Sequence, residues 1–439
     1  MDRLPAPEAC LVTGITPQKA AAQGQTEAAF FNEIHALLTE GSTTSLGWNT
    51  LRFDDVLCRF GFWRNYQDPY EHTWRNGCNA WDLIDLARAA RALRPDGIQW
   101  PEHDNGNPSF KLEHLAAANG ISHEDAHDAL SDVKATIAFG KLIQDAQPEL
   151  WKWARSLTDT KKAEATLQTP GPFVHVSARI PAQFGCTSPV RVLAEHPSNK
   201  RSFLCWDLRE DPTELLDADV DEILHRTFSK QAKLADGQRR FAIKEIKSNR
   251  APFIAPTGVL KSADHELLQL DESTWQRHDA ILERHTGKVE QLRSRLREAW
   301  APAPLTSVDP EDALYADFPG NEDIRLRKRV HRTRPDDLAN LGKQFVDARL
   351  KAMMLHYRAR EAPGTLKPSE QKVWEQRCRG RILNPPGAKD LPWPDWLDHV
   401  RSLARDAKVT NPNKKILAAV ESWGLEQADK LGLPIPAEA

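Results

Sequence analysis

Apolar and polar positions change their rhythm three times along the chain. Over roughly the first 150 residues helical spacing alternates with short apolar runs. Thr26 predicts an N-cap, Phe30, Ile34, Leu37 and Leu38 share one helix face, and Gly41 ends it. Ser45–Trp48 reads as a strand and leads into a periodic stretch with Phe53, Leu57 and Phe60/Gly61 in register. Further helices are predicted over Trp81–Leu93, Leu112–Asn119 and from Ser122 past Ile143, the last with Leu130, Val133 and Ile137 as a buried stripe. This is α/β texture. Between about 170 and 260 the period falls to two: FVHVSARI, SPVRVLAEH, RSFLCWDL and RRFAIKEI, separated by Pro, Gly and Asn, predict a small antiparallel β domain. From Ala263 the pattern is helical again, through SADHELLQL and the stretch Glu272–Trp300 with its i,i+4 charge pairs. APAPLTSVDP (301–310) is a natural boundary, and helices then continue to the end, interrupted by LNPPGAKDLPWP (383–394). No internal repeat is visible.

Composition narrows the class. At 439 residues the chain has length for two to four domains, and 40% hydrophobic with 28% charged residues describes a globular protein rather than a disordered tail. A formal charge of −3 excludes a global basic field, so any nucleic-acid partner must be held by local patches. No run of 18 apolar residues exists and MDRLPAPEAC lacks a secretory layout, so no membrane association and a cytoplasmic location are expected. The six cysteines form no Cys-x-x-Cys, which argues against a disulfide scaffold or a zinc ribbon. Fourteen Trp against four Tyr is a surplus of flat stacking surface, suited either to a core or to bases.

Two segments could carry chemistry. In SHEDAHDALSDVKATIAFG (122–140), His127 and Asp132 lie five apart at a helix start, about 500° of rotation, so they do not stack but can flank one cleft. A carboxylate there can bind a divalent cation and an imidazole can take a proton from water. A His five residues before an Asp is also expected about once by chance in such a chain. In GWNTLRFDDVLCRF, Asp54 sits at a strand-to-helix transition, either as an acid favoured by the helix dipole or facing the same cleft. Arg59, Trp63, Arg64, Tyr70 and Trp74 follow, an interleaving of cations and rings that suits unstacked nucleotides and equally suits core packing. RLRKRVHRTR (325–334), HYRAR (356–360) and KEIKSNR (244–250) are the basic runs, each a solvated face or a track for phosphates.

The runs LVTGITPQKA, GWNTLRFDD, FWRNYQDPY, WDLIDLARA and PSFKLEHLAAANGISHEDAHDALSDVKATIA resemble the exodeoxyribonuclease I family, the branch of DEDD 3′→5′ exonucleases whose last motif carries His. VHVS, HPSNK, LCWDL and FVDARLKAMMLHYRAREAPGTL extend the resemblance over nearly the whole chain. It implies an α/β ribonuclease H-like exonuclease domain (1–147), an SH3-like β domain with trailing helices (148–300) and a helical C-terminal domain (301–439). It implies single-stranded DNA as substrate and two Mg²⁺ ions, with Mn²⁺ as the alternative. His127 becomes the general base, Asp132 a direct metal ligand and Asp54 the acid of the second motif. Arg59, Tyr70, Trp74, Arg88 and Lys111 match DNA-facing positions, with Lys111 standing where relatives carry Arg and so losing bidentate phosphate geometry. Single-stranded-DNA-binding protein is the implied partner of a monomer acting in repair and recombination.

The superfamily's first motif, Asp-x-Glu on the opening strand, has no counterpart before LVTGITP, which starts at residue 11. Asp264/Glu266 and Asp309/Glu311 have the spacing but continue no apolar strand, so both pairs are expected to be surface acids. With two of four carboxylates, metal affinity should fall, and the exonuclease sheet should expose apolar surface and an unpaired edge. The expectation is a gene start placed too far downstream; the alternative is a catalytically inactive single-strand-binding remnant.

Overall fold

The computed structural model describes residues 2–122, 129–301, 309–387, 389–406 and 409–436. The chain forms two compact units, one of Leu38–Val56 and Glu71–Thr306, the other of Met1–Leu37, Leu57–Tyr70 and Ser307–Ala439.

The first unit holds two sheets. β1 (Thr44–Gly47) and β2 (Asn79–Asp82) pair in parallel, Thr44 opposite Asn79 and Gly47 opposite Asp82. Asp82 then caps the helix Leu83–Leu93 by accepting from the Ile84 N–H (3.1 Å), and this helix buries nearly every residue. The helix Ala129–Ala146 lies against it through Ala135, Phe139, Gly140 and Ile143, and Phe139 meets the Trp48 ring edge-on at 5.6 Å. Leu130, Val133 and Ile137, the expected buried stripe, are instead 60%, 54% and 45% exposed. The helices Leu83–Leu93, Leu112–Ala118 and Pro148–Ser156 pack on this helix and leave that stripe uncovered. Phe53, and in the second unit Phe30, Leu37 and Leu57, are likewise exposed where their spacing predicted burial.

The second sheet is the expected antiparallel β domain. β3 (Phe173–Val176), β4 (Thr187–Glu195), β5 (Ser202–Asp207), β6 (Ile243–Lys247) and β7 (Phe253–Pro256) take the order β6-β5-β4-β3-β7, with a bulge in β4 between Val192 and Ala194. β5 is buried along its whole length because both faces are covered. Leu204 and Trp206 join the larger apolar core with Trp275, Leu282, Leu292 and Leu296, while Phe203 and Cys205 pack with Ala163 and Leu167 on the other side. The trailing helices are Glu272–Arg284 and Thr286–Ala299, separated at His285. SADHELLQL is not helical: the Asp264 carboxylate accepts from the N–H groups of Glu266 and Leu267 (both 3.0 Å), a local bond that holds the segment in turns.

The second unit is all helical. Its core combines Trp63 and Tyr66 with Leu341, Phe345, Leu350 and Met353, and a further cluster gathers Trp393, Trp396, Leu397 and Leu417. A Cβ on Gly61 would enter the Phe31 ring, and one on Gly424 the Trp396 ring, so both positions require glycine. Glu311, expected at the surface, is 2% exposed and central to an ionic cluster. It accepts from Arg360 (2.5 Å) and Arg377 (2.8 Å), with Arg64 at 3.7 Å and His356 at 3.4 Å. Burial opposes ionisation of Glu311, but His356 and these guanidiniums hold its carboxyl far below the usual carboxylate range. Asp309 binds Arg377 (3.0 Å) and Arg381 (2.9 Å), so neither acid of that pair is the surface acid its linker setting predicts. Asp264 and Glu266 are exposed, as read.

The tryptophan surplus is largely core. Trp63, Trp81, Trp206, Trp275, Trp393 and Trp396 are buried, and indole N–H groups reach backbone carbonyls, Trp63 to Pro310 (2.9 Å) and Trp206 to Glu210 (2.8 Å) among them.

Candidate nuclease site

The turn that presents Asp54 is fixed from below. Asp82, at the end of β2, accepts from the N–H groups of Asn49 (2.8 Å) and Leu51 (3.2 Å), which ties the β1 exit to the neighbouring strand. Asn49 takes φ +61° there, a left-handed conformation that Asn tolerates. The helix Asp54–Arg64 then begins with two acids about 100° apart around its axis. Asp55 turns inward, bonded to His72 Nε2 (2.8 Å) and Arg250 (2.6 Å), and Arg250 also donates to the Leu51 carbonyl (2.9 Å). Asp54 turns to solvent at the helix start. Protein crowding still raises its pKa above the ordinary aspartate value, against the effect of its own backbone N–H.

Asp132 occupies the equivalent place on another helix, the first turn of Ala129–Ala146, half-buried, with Thr136 bonded to its carbonyl (2.8 Å). His127 lies outside the described residues. Among the described residues neither Asp54 nor Asp132 joins a three-donor group that could hold a metal; the single such group is Asp309, Glu311 and His356, and its acids are neutralised by Arg360, Arg377 and Arg381. The donor chemistry of Asp54 and Asp132, two hard carboxylate oxygens at helix starts, nonetheless fits a divalent cation.

The five DNA-facing candidates divide between the two units. In the helical unit Arg59 is buried, its guanidinium 4.9 Å over the Tyr70 ring, and Tyr70 leans on Phe318 at 5.9 Å. In the other unit Arg88 is buried, paired with Asp85 (2.5 Å) and 5.4 Å over Phe110. Trp74 is 64% exposed, and Lys111 precedes the helix Leu112–Ala118 in the open, 3.8 Å from Glu113. Arg88 is thus held by protein partners, whereas Trp74 and Lys111 present free surface.

The basic runs are partly internal. Arg327 is buried on Asp68 (2.9 Å), Arg358 on Glu370 (2.8 Å) and Arg360 on Glu311, while Arg325, Lys328, Arg329, Arg332 and Arg334 are exposed. Sequence reasoning missed Asp55, His72, Asp82 and Arg250, the groups that fix the Asp54 turn. The adjacent acids at 54 and 55 were the available signal, since helical rotation sends one inward.

One unit thus joins a short parallel sheet and its helices to a five-stranded antiparallel sheet, and the other unit is built from helices among the described residues; the matches of each part are to an exonuclease. Residues 2–139 match the Exonuclease family, 159–301 the Exonuclease I SH3-like domain and 308–427 the Exonuclease I C-terminal domain. Exodeoxyribonuclease I of Escherichia coli K12 is 41% identical over 380 residues, 86% of this chain and 79% of that protein. A moderately thermophilic exonuclease I from Methylocaldum szegediense superposes with TM-score 0.90 at 38% identity, covering 97% of this chain and 89% of the other. E. coli exonuclease I in complex with a dA16 oligonucleotide gives TM-score 0.89 at 37% identity over 97% and 90%. Similar structures include a zinc-bound complex of E. coli exonuclease I with single-stranded DNA and an SSB/exonuclease I structure in complex with an inhibitor. The chain belongs to the exodeoxyribonuclease I family. Among the described residues no helix is long and apolar enough to cross a membrane.

Proposed function

We propose that the protein is a 3′→5′ exonuclease that hydrolyses single-stranded DNA to nucleoside 5′-monophosphates in DNA repair and recombination, in the cytoplasm and alongside SSB. The observation that supports it best is the pair Asp54 and Asp132, one acid at the start of each of two helices, within a chain whose relatives are exonucleases. Asp54 and Asp132 would hold divalent metal, Mg²⁺ by the hardness of their oxygens, and such an ion supplies charge for the phosphoryl oxygens and acidity for water. His127 takes the proton from the attacking water. Trp74 offers a stacking face, Lys111 a phosphate contact, and Arg59 orients Tyr70 through its guanidinium. Arg88, held by Asp85 and lying 5.4 Å over the Phe110 ring, is the remaining cation of the DNA-facing set.

A 3′-labelled single strand with Mg²⁺ tests this. The expected result is release of mononucleotide, with His127→Ala slower by about 100-fold or more. An intact 3′ end in the presence of tight strand binding favours the second reading, an inactive single-strand binder.

A further inference from the structure

The two oxygens of the buried Asp55 carboxylate are taken by different parts of the fold. Oδ1 bonds His72 Nε2 (2.8 Å) in the turn Glu71–Thr73, and Oδ2 accepts from Arg250 (2.6 Å), which the β domain supplies from 195 positions away. Arg250 ends the turn Ser248–Arg250 that joins β6 to β7. That turn is rooted in the β domain. The buried Ser248 donates its N–H to the Arg201 carbonyl (2.8 Å), and its hydroxyl lies 3.1 Å from the same carbonyl and 3.2 Å from Glu164. Ala251, the next residue, takes φ +43°, a left-handed conformation that alanine keeps only where its surroundings impose it. One guanidinium nitrogen, Nη1, donates both to Asp55 and to the Leu51 carbonyl (2.9 Å). Asp54 lies between these two tied points, next to Asp55 in the chain.

Arg250 has two opposed effects on a cation held at Asp54. Its positive charge repels a dication, whereas its bonds fix the Asp54 backbone in advance, so that less has to be ordered when metal arrives. The Asp55 carboxylate 2.6 Å away offsets the charge, and the ordering remains. We propose that Arg250 is a positioning residue for the metal: through Asp55 the β domain sets the affinity of Asp54 for a divalent cation. This rests on the reading of Asp54 and Asp132 as metal ligands.

The sign of one substitution separates the two effects. Mn²⁺ binding to the whole chain without DNA is followed by the electron paramagnetic resonance of the free ion, and the binding that Asp54→Asn removes marks the site. Arg250→Met keeps the bulk and removes the charge; Arg250→Lys supplies one nitrogen able to serve both acceptors. Arg250→Met is expected to weaken Mn²⁺ about 5-fold or more, and Arg250→Lys to stay within about 2-fold of wild type. The Met variant should need about 5-fold more Mg²⁺ for half-maximal nuclease rate at an unchanged KM for the strand. Amide exchange over residues 49–56 should quicken in the Met variant alone, with β5 unaltered. If Arg250→Met folds too poorly, Arg250→Gln, which keeps one neutral donor, replaces it with an expected loss of about 3-fold. Mn²⁺ bound as tightly as in wild type, or more tightly, by the Met or Gln variant overturns the proposal, whatever happens to the unfolding midpoint, because a merely structural or repulsive Arg250 gives that result. A Lys variant as weak as the Met variant overturns it too. Wild type that binds no Mn²⁺ at Asp54 fails the metal reading itself, and the proposal with it; the other failures leave that reading standing.

Discussion

The two sheets of the β-containing unit are finished to different degrees. In the five-stranded sheet β5 is buried at every position, one face on Trp275 and Leu282 and the other on Ala163 and Leu167. In the two-stranded sheet Gly47 is the single buried residue of β1, Leu46 is 41% exposed, and the helix Ala129–Ala146 shows solvent an apolar stripe. Periodicity is equally clear in both regions. A stripe of apolar residues states which side of an element seeks cover; whether cover exists depends on the neighbouring layers.

The comparison predicts unequal costs. Leu204→Ala in β5 should destabilise by about 2–5 kcal/mol, and Leu46→Ala in β1 by under about 0.5 kcal/mol, in urea unfolding followed by circular dichroism. Equal costs would break the contrast. Next in size is a pH effect within the finished sheet. His175 on β3 is buried, donating its Nδ1–H to the Phe253 carbonyl (3.0 Å), and burial lowers its pKa to about 4. From about pH 6.5 down to about 4 the unfolded chain binds the extra proton and the folded chain does not. Stability is therefore full above pH 6.5 and falls by roughly 3 kcal/mol as pH drops to 4. A pH series of unfolding midpoints checks this, and His175→Gln should flatten it. The smallest expected effect lies on the open stripe: Val133→Lys with Ile137→Lys should change stability by no more than about 0.5 kcal/mol while reducing dye binding and light scattering. A cost like that of Leu204→Ala would mean the stripe is covered in solution.

Much of this was legible beforehand. The strands β3 to β6 follow from period-two runs, while the helix predicted from Trp81 starts only at Leu83, because Trp81 and Asp82 belong to β2 and Asp82 caps the helix. β7 went unread because Pro252 and Pro256 break its signature over only four residues. Local rules also failed where charge and packing meet at long range. Asp309 and Glu311 look like linker acids until Arg360, Arg377 and Arg381, some fifty to seventy positions away, surround them. Of the candidate site, the turn carrying Asp54 was visible, while its supports Asp55, His72 and Arg250 were not, because a buried triad spread over 195 positions leaves no local pattern.

The ionic cluster also fixes an order of events during synthesis. Arg377 clasps Asp2 across 375 positions, Trp396 reaches the Pro5 carbonyl, and Tyr66 donates to that of Leu350. The segments carrying Asp2, Pro5 and Tyr66 emerge from the ribosome long before these partners exist, and most of the β-containing unit is made in the interval. They must wait, unfinished and in reach of chaperones, until residues 350–396 are translated.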